Sequence, residues 1–453
     1  MQEKNSLRLL MITELFLPTK GGTAVSFDDD FRRLGGKEVH IITADVPGAA
    51  EFDRDHPNTI HRLVLERKEW LKPESLLIYT KLFWKSLWLA VTTRTDAIFA
   101  GRALPEGLVA LIVGRLTGRP VLIYAHGEEL TGWGRGRKFQ AMCFTMQRAD
   151  WILSNSDNTR DTLVNLLGVD SDRIALTYPT VDEERFHPAA VDEELRRSVN
   201  VSGDKKLILS VGRLMQRKGF DNVIRSLPIL RDQGLIIEYA LIGIGNEKTY
   251  LQELAEELNV AEHVHFLGHV SYEDLPRWYH ACDLFAMPNR DIEGDNEGFG
   301  LVFLEAAASG KPAIAGKAGG TSSAVIDGKT GLLVDGENVA EIATAVRAEL
   351  YPPDGATRNQ VEGSDAAFRY KELLYGVDNG AVVNQFENMA SWYGQPEREK
   401  ITTQIEILRE ALSHAPLDAQ LRNLFLDAHT DRAIAEMQFV KPKLVQLARK
   451  RLG

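Results

Sequence analysis

The residues best suited to chemistry lie in one run, Glu297-Gly298-Phe299-Gly300-Leu301-Val302-Phe303-Leu304-Glu305, which closes at Gly310 ahead of Lys311-Pro312. Gly298 and Gly300 permit a tight turn, and the apolar residues after them open a helix. A helix start presents unpaired backbone N–H groups and a positive dipole end, which together seat a diphosphate. Glu305 falls about one and a half turns into this helix, while Glu297 stands on the loop before it. Both carboxylates can therefore face one ligand, one accepting bonds from vicinal ribose hydroxyls and the other holding sugar hydroxyls. A lone pair of glutamates is more commonly solvated surface. Here the glycine-lined helix start gives the pair its weight.

A second constellation is Gly212-Arg213-Leu214-Met215-Gln216-Arg217-Lys218-Gly219, directly after the apolar run of residues 207–211. At a strand's carboxyl end, Arg213 and Lys218 point into a cleft, where two fixed cations can neutralise a departing diphosphate. Exposed Arg and Lys are common, and in isolation two solvated cations would be an equally good reading.

The elements that must position these groups follow from periodicity. Residues 8–13 form a buried apolar run feeding a turn with Pro18, Gly21 and Gly22, then a helix over about 26–34. Strand patterns recur at 39–43, 97–100 and 121–124, with helical stretches between them. After an irregular, charged region at 179–204 the alternation restarts, with strands at 207–211, 237–242, 264–266, 284–287 and 313–315 and a helix at 248–258. Alternating strands and helices mean parallel doubly wound sheets. Two such sheets facing each other leave a cleft for a ligand. From about residue 355 strand signals cease, and Ile401, Ile405, Leu408 and Leu412 fall at helical spacing, as do Leu417, Leu421 and Leu424. The expected organisation is an acceptor-side domain at 1–185, a donor-binding domain at 186–354 and a helical extension at 355–453.

Bulk properties agree. A chain of 453 residues exceeds the roughly 250 to 300 at which single cores stop growing. Its 44% hydrophobic and 26% charged content is that of a soluble globular protein. The formal net charge of −11 argues against a nucleic-acid partner. Cys143 and Cys282 stand far apart, outside metal-type spacing, which fits a reducing cytosol. Residues 1–10 carry no long apolar run ending in a cleavage site, so no secretory signal is expected. The most membrane-like stretch, residues 76–91, is broken by Lys81 and Lys85 and falls short of the ~20 apolar residues that span a bilayer.

Taken together, Gly21-Gly22 after the first strand, Ala125-His126-Gly127-Glu128, Gly212-Arg213 with Lys218-Gly219, Phe266-Leu267-Gly268-His269-Val270 and the Glu297 to Glu305 element resemble glycosyltransferase family 4 over roughly residues 8–340. The resemblance implies a GT-B fold of two Rossmann-like domains and a nucleoside-diphosphate sugar as co-substrate. It further implies that Arg213 and Lys218 bind the diphosphate, Glu305 the ribose, and Glu297 with the backbone of Phe299, Gly300 and Leu301 the transferred sugar. Gly21 and Gly22 would approach the phosphates from the opposite domain, Val270 would line the donor site, and His126 would stand near the reacting carbon. Members transfer with retention, without a metal or other cofactor and without a clear protein nucleophile, so catalysis rests on positioning and leaving-group stabilisation. His126, Glu297, Arg213 and Lys218 are the catalytic set this implies. Glu128 and Glu129 remain ambiguous.

Two other readings fit poorly. Asp28-Asp29-Asp30, Asp53-Arg54-Asp55 and Asp170-Ser171-Asp172 have the letters of a metal-holding Asp-x-Asp, but in helix or loop settings that suit solvated acids. Gly243-Ile244-Gly245 begins like a dinucleotide fingerprint, yet Lys248 stands where the third glycine belongs.

On the acceptor side, Arg67, Lys68, Lys72, Lys81 and Lys85 interleave with Trp70, Phe83, Trp84 and Trp88, and Arg135, Arg137 and Lys138 follow the His126 strand. Such a mixture suits an anionic membrane surface or a lipid-linked acceptor, as well as an ordinary helix burying its aromatics. The loop at 288–296 resembles that of phosphatidylinositol mannosyltransferases, which hints at GDP-mannose with a UDP-hexose as the other donor class. Three features depart from the family pattern: Tyr178-Pro179-Thr180-Val181-Asp182 replaces Asn-Gly-Val-Asp, Ser323 stands where an acid is usual, and the extension after 355 has no family counterpart, leaving it as a candidate homo-oligomer contact. A GT-B phosphorylase, a sugar-nucleotide epimerase and a non-catalytic nucleotide-binding subunit share the fold and stay as alternatives.

Overall fold

The computed structural model describes residues 8–352, except 20, 35, 66–75, 132–135, 183 and 204. The expected extension at 355–453 lies outside the described residues, as do Arg67, Lys68, Trp70, Lys72 and Arg135 of the acceptor-side basic set.

The first sheet is built from β1 (Leu9–Ile12), β2 (Val39–Ala44), β3 (Thr59–Leu63), β4 (Ala97–Ala100), β5 (Val121–Ala125), β6 (Trp151–Ser154) and β7 (Ile174–Leu176). All seven are parallel, in the order β3-β2-β1-β4-β5-β6-β7. The second sheet comprises β8 (Lys206–Val211), β9 (Ile237–Ile242), β10 (Val264–Gly268), β11 (Leu284–Met287), β12 (Ala313–Gly316) and β13 (Gly331–Val334). Its parallel order is β10-β9-β8-β11-β12-β13. In each sheet the order reverses once, between β1 and β4 and between β8 and β11. The crevice at such a reversal, outside the strands' carboxyl ends, is where an open α/β sheet binds its ligand.

The central strands are continuous apolar runs because helices cover both faces of a parallel sheet. Leu9–Ile12, Ala97–Ala100 and Leu284–Met287 are buried at every position. The strands without a sequence signal, β3, β6, β7 and β13, lie towards or at sheet edges. Thr59–Leu63 and Ile174–Leu176 are half-buried throughout; the first breaks the apolar pattern with Thr, His and Arg, and the second, Ile-Ala-Leu, is only three residues long.

Two expectations need correcting. The first helix spans Gly22–Leu34 rather than beginning near 26, and it starts at the glycine itself, after Gly21 at φ 140°. The charged stretch 179–204 is not wholly irregular, since Glu193–Ser198 is a helix capped by the Asp192 side chain, which accepts from Leu195 N–H. The aromatic helix Leu76–Thr92 divides its residues: Ile78, Leu82 and Leu89 enter the core, whereas Trp84 and Trp88 are 66% and 56% exposed.

Candidate functional site: a charged cleft at the carboxyl edge of the second sheet

The loops after β8 and β11 flank the reversal point of the second sheet and carry both constellations. After β11, Asn289 anchors the chain: its amide donates to Ala318 O and Thr321 Oγ1, and its Oδ1 accepts from Gly316 N–H. The loop returns through Asp295 to Glu297, and the helix Leu301–Ala308 begins. Gly300 makes that turn at φ 96°, and a Cβ there would lie 2.6 Å from the Phe303 ring. Gly298 is needed for a different reason than a tight turn. A Cβ on it would stand 2.0 Å from the carbonyl oxygen of His126, so the glycine permits close approach of the first domain.

The helix buries Phe303, Leu304 and Ala306, with Phe303 edge-on to Phe285 at 5.5 Å. Its polar exception is Glu305. Burial pushes this carboxyl up to about 7, against the pull of the Tyr279 hydroxyl, which donates to Oε2 at 2.7 Å. Glu297 is equally buried but lies among cations. Burial alone would raise it; the Lys218 ammonium and Arg217 guanidinium outweigh that and hold it below the ordinary carboxylate value. Lys218 Nζ donates to Glu297 Oε2, and Arg217 Nη1 donates to the same oxygen at 3.1 Å. The two glutamates thus have opposite electrostatics: one is held ionised, and the other is raised until it titrates near neutral pH.

The turn Gln216–Lys218 places Arg217 and Lys218 beside this loop, and Gly219 follows in the left-handed region at φ 73°. A side chain there would collide with Pro288 O, a contact that brings the two loops together. Arg213 projects from the end of β8 with its side chain 66% exposed, its Nη2 lying 3.5 Å from Glu128 Oε2. Gly243 and Gly245 pack without side chains against Gly212 O and Leu214 O. Their spacing serves this loop packing.

Across the cleft, His126 follows β5. Its Nε2 donates to Gly101 O at 3.1 Å, and its ring is parallel to Tyr124 and edge-on to Phe27. Its backbone N–H donates to Glu129 Oε1 and its carbonyl accepts from Asn155 Nδ2. Gly22, at the start of the first helix, faces Leu301: a Cβ there would be 3.0 Å from the Leu301 side chain. Phe299 is buried with its ring 6.0 Å from Tyr178, and Val270 lies half-buried on the loop after β10.

The structure therefore brings Gly22, His126, Lys218, Glu297, Gly298, Gly300 and Leu301 into one region. Arg217 was not singled out from the sequence, yet it is the most connected cation, only 2% exposed. It faces Glu297, Glu128 Oε1 at 3.1 Å and Asp295 Oδ1 at 3.2 Å, and donates to Asn296 O. Burial alone would lower its pKa; those carboxylates outweigh this and raise it. The signal available was its adjacency to Lys218 in a glycine-bounded turn. Tyr279 was missed because its link to Glu305 joins residues 26 apart. Among the described residues no group of His, Cys, Asp and Glu is arranged to hold a metal ion.

The chain is similar to known glycosyltransferases. The model "Glycosyl transferases group 1" matches residues 191–358, and "Glycosyltransferase Family 4" matches residues 21–185. The GDP-mannose-dependent alpha-(1-6)-phosphatidylinositol monomannoside mannosyltransferase of Mycolicibacterium smegmatis is 32% identical over 363 residues, 78% of this chain and 92% of that protein. D-inositol 3-phosphate glycosyltransferase 2 of Catenulispora acidiphila is 35% identical over 216 residues, 45% of this chain and 49% of that one. Among solved structures, Anabaena HepE in complex with UDP and glucose matches with a TM-score of 0.69 at 18% identity, covering 83% of this chain and 99% of HepE. Sucrose-phosphate synthase from Thermosynechococcus elongatus matches at 0.65 and 20% identity, covering 83% of this chain and 98% of the synthase. Both neighbours share the two-sheet GT-B architecture. With both sheet domains matched and a relative nearly one-third identical along almost its whole length, the chain belongs to glycosyltransferase family 4 and is a glycosyltransferase.

Proposed function

We propose that this enzyme moves mannose from GDP-mannose to a lipid-linked acceptor, with retention of configuration and without a metal ion. The observation that carries the donor site is Glu297, held ionised between Lys218 and Arg217 at the reversal point of the second sheet, immediately before the helix Leu301–Ala308. Arg213 and Lys218 take the diphosphate together with the backbone N–H groups of the helix start, and Gly21 and Gly22 close over it from the first domain. Glu305 accepts the ribose hydroxyls. Glu297 and the backbone of Phe299, Gly300 and Leu301 hold the sugar, with Val270 as an apolar wall.

The leaving diphosphate accumulates negative charge as the glycosidic bond breaks. Cations already fixed beside it stabilise that charge without reorganising. His126, with its Nε2 hydrogen committed to Gly101, positions the transferring sugar. The acceptor hydroxyl attacks from the face the diphosphate leaves, which retains the anomeric configuration. Donor choice draws on the mannosyltransferase relatives, whose names specify GDP-mannose.

The acceptor side supports a membrane-linked substrate. Trp84, Trp88 and Val91 are exposed on Leu76–Thr92, Lys85 lies over the Trp88 ring at 4.5 Å, and Ile112 and Leu116 are exposed on the adjoining helix Leu108–Thr117. Apolar and cationic side chains together on one surface suit an anionic lipid interface. No helix among the described residues is long and apolar enough to cross a membrane. Cys143 and Cys282, which form no disulfide with each other, fit a cytoplasmic enzyme working at the inner face.

The test is thermal stabilisation by GDP and UDP in the presence of a chelator, followed by a donor panel with mass detection of glycolipid product. GDP should stabilise the protein, and Lys218→Ala should remove most of the shift. Stabilisation by neither nucleotide sinks the donor site. A new sugar nucleotide formed without acceptor makes the enzyme an epimerase instead.

A further inference from the structure

Arg213 and Lys218 are the cations assigned to the diphosphate, yet Arg213 faces an anion of this chain already. Glu128 belongs to the first domain, two residues beyond His126, and uses one oxygen for each arginine: Oε2 is 3.5 Å from Arg213 Nη2 and Oε1 is 3.1 Å from Arg217 Nη2. The cluster is charge-balanced as it stands, with Arg213, Arg217 and Lys218 opposing Glu128, Asp295 and Glu297. A bound diphosphate adds about two negative charges and upsets the balance, so one carboxylate must give way.

The three carboxylates differ in how readily they can do so. Glu297 is buried and shared by two cations, and removing it would take from Lys218 its carboxylate partner. Asp295 faces Arg217 from the same domain, and its ion pair is with that buried arginine rather than with Arg213. Glu128 is 45% exposed, lies on the other domain, and pairs with the cation the phosphate needs.

We propose that Glu128 is an internal competitor of the donor's diphosphate. It pairs with Arg213 when the cleft is empty, yields to the diphosphate on donor binding, and returns after transfer to favour release of the nucleoside diphosphate. It is a positioning residue acting through Arg213, and no bond to substrate is assigned to it. This proposal rests on the donor-site reading above.

The test compares wild type, Glu128→Gln, Arg213→Gln and the double variant by calorimetric titration with GDP, alongside steady-state kinetics. Glu128→Gln keeps size and polarity but removes the competing charge. It should bind GDP about three- to tenfold tighter at low salt, with a smaller gain at high salt. Its KM for donor should fall and its kcat should fall too, because product release slows. In the Arg213→Gln background the same substitution should change GDP affinity less than twofold, since the contested cation is gone. A wild type that binds GDP while Glu128→Gln binds it no more tightly overturns this inference and leaves the donor site standing. Absence of nucleotide binding in the wild type overturns both.

Discussion

Tyr279 donates its hydroxyl to Glu305 Oε2 at 2.7 Å inside the core of the second domain, giving a buried carboxyl one partner and no cation. That is why burial dominates and lifts Glu305 to about 7. A carboxyl whose folded pKa lies above its unfolded value stabilises the fold through its proton below about 4.5, and that contribution is lost as pH rises through about 7. Glu305→Gln should flatten the stability profile between those values, measured by denaturant unfolding at stepped pH.

Ligand binding runs the other way. If the ionised Glu305 accepts ribose hydroxyls, GDP affinity should rise as pH increases through about 7, relative to Glu305→Gln, which shares the nucleotide's own titration. Tyr279→Phe removes the bond that lowers the pKa, so the rise should move to higher pH. Calorimetric titration of the three proteins checks this, and coincident profiles would remove Glu305 from the ribose site.

Gly298 supports the His126 carbonyl by having no side chain. Gly298→Ala must move the two domains apart or break the turn, because its Cβ would lie 2.0 Å from that oxygen. Transfer should fall about 100-fold, the scale of an ångström-level misplacement. Gly136→Ala, whose Cβ meets open space, should leave transfer near wild type.

Two departures from the family pattern meet at one carboxylate. Tyr178 donates to Asp157 Oδ2 at 2.5 Å and Ser323 Oγ donates to the same oxygen at 3.2 Å, joining the linker, the first domain and the helix Thr321–Ala324. Burial and the Asp157 bond both raise the Tyr178 pKa. Tyr178→Phe and Ser323→Ala should each cost about 1 kcal/mol in unfolding free energy. The double variant should cost less than the sum, because both bonds share Asp157. Full additivity would show that the two hydroxyls act independently.

For membrane attachment, Lys85→Gln should weaken co-sedimentation with phosphatidylserine-containing vesicles about fivefold, the scale of one surface cation. Trp84→Ser with Trp88→Ser should weaken it further, and GDP titration should be unchanged in both variants. Equal sedimentation of wild type and variants would place the acceptor contact elsewhere.

The sequence by itself determined the doubly wound class and the two loops, after β8 and β11, that flank the reversal point of the second sheet. Buried parallel strands must be apolar runs, and residues 9–12, 97–100, 237–242 and 284–287 carried that mark. The edge strands β3 and β7 did not: β3 has half-exposed positions that tolerate Thr, His and Arg, and β7, Ile-Ala-Leu, is too short to show a run. The turn at Gly300 was legible from residue type, as were Glu297, Glu305, Arg213 and Lys218 from spacing. What only tertiary structure decided is how these charges are shared. Glu297 and Glu305 have the same side chain and similar burial; one meets Lys218 and Arg217 from a loop nearly 80 residues earlier and stays ionised, while the other meets a tyrosine and is lifted. The role of Gly298, the place of Arg217 and the reach of Glu128 across the cleft also depend on segments far apart in the chain. Local periodicity reports burial, but electrostatics depends on which distant groups the fold brings within a few ångströms.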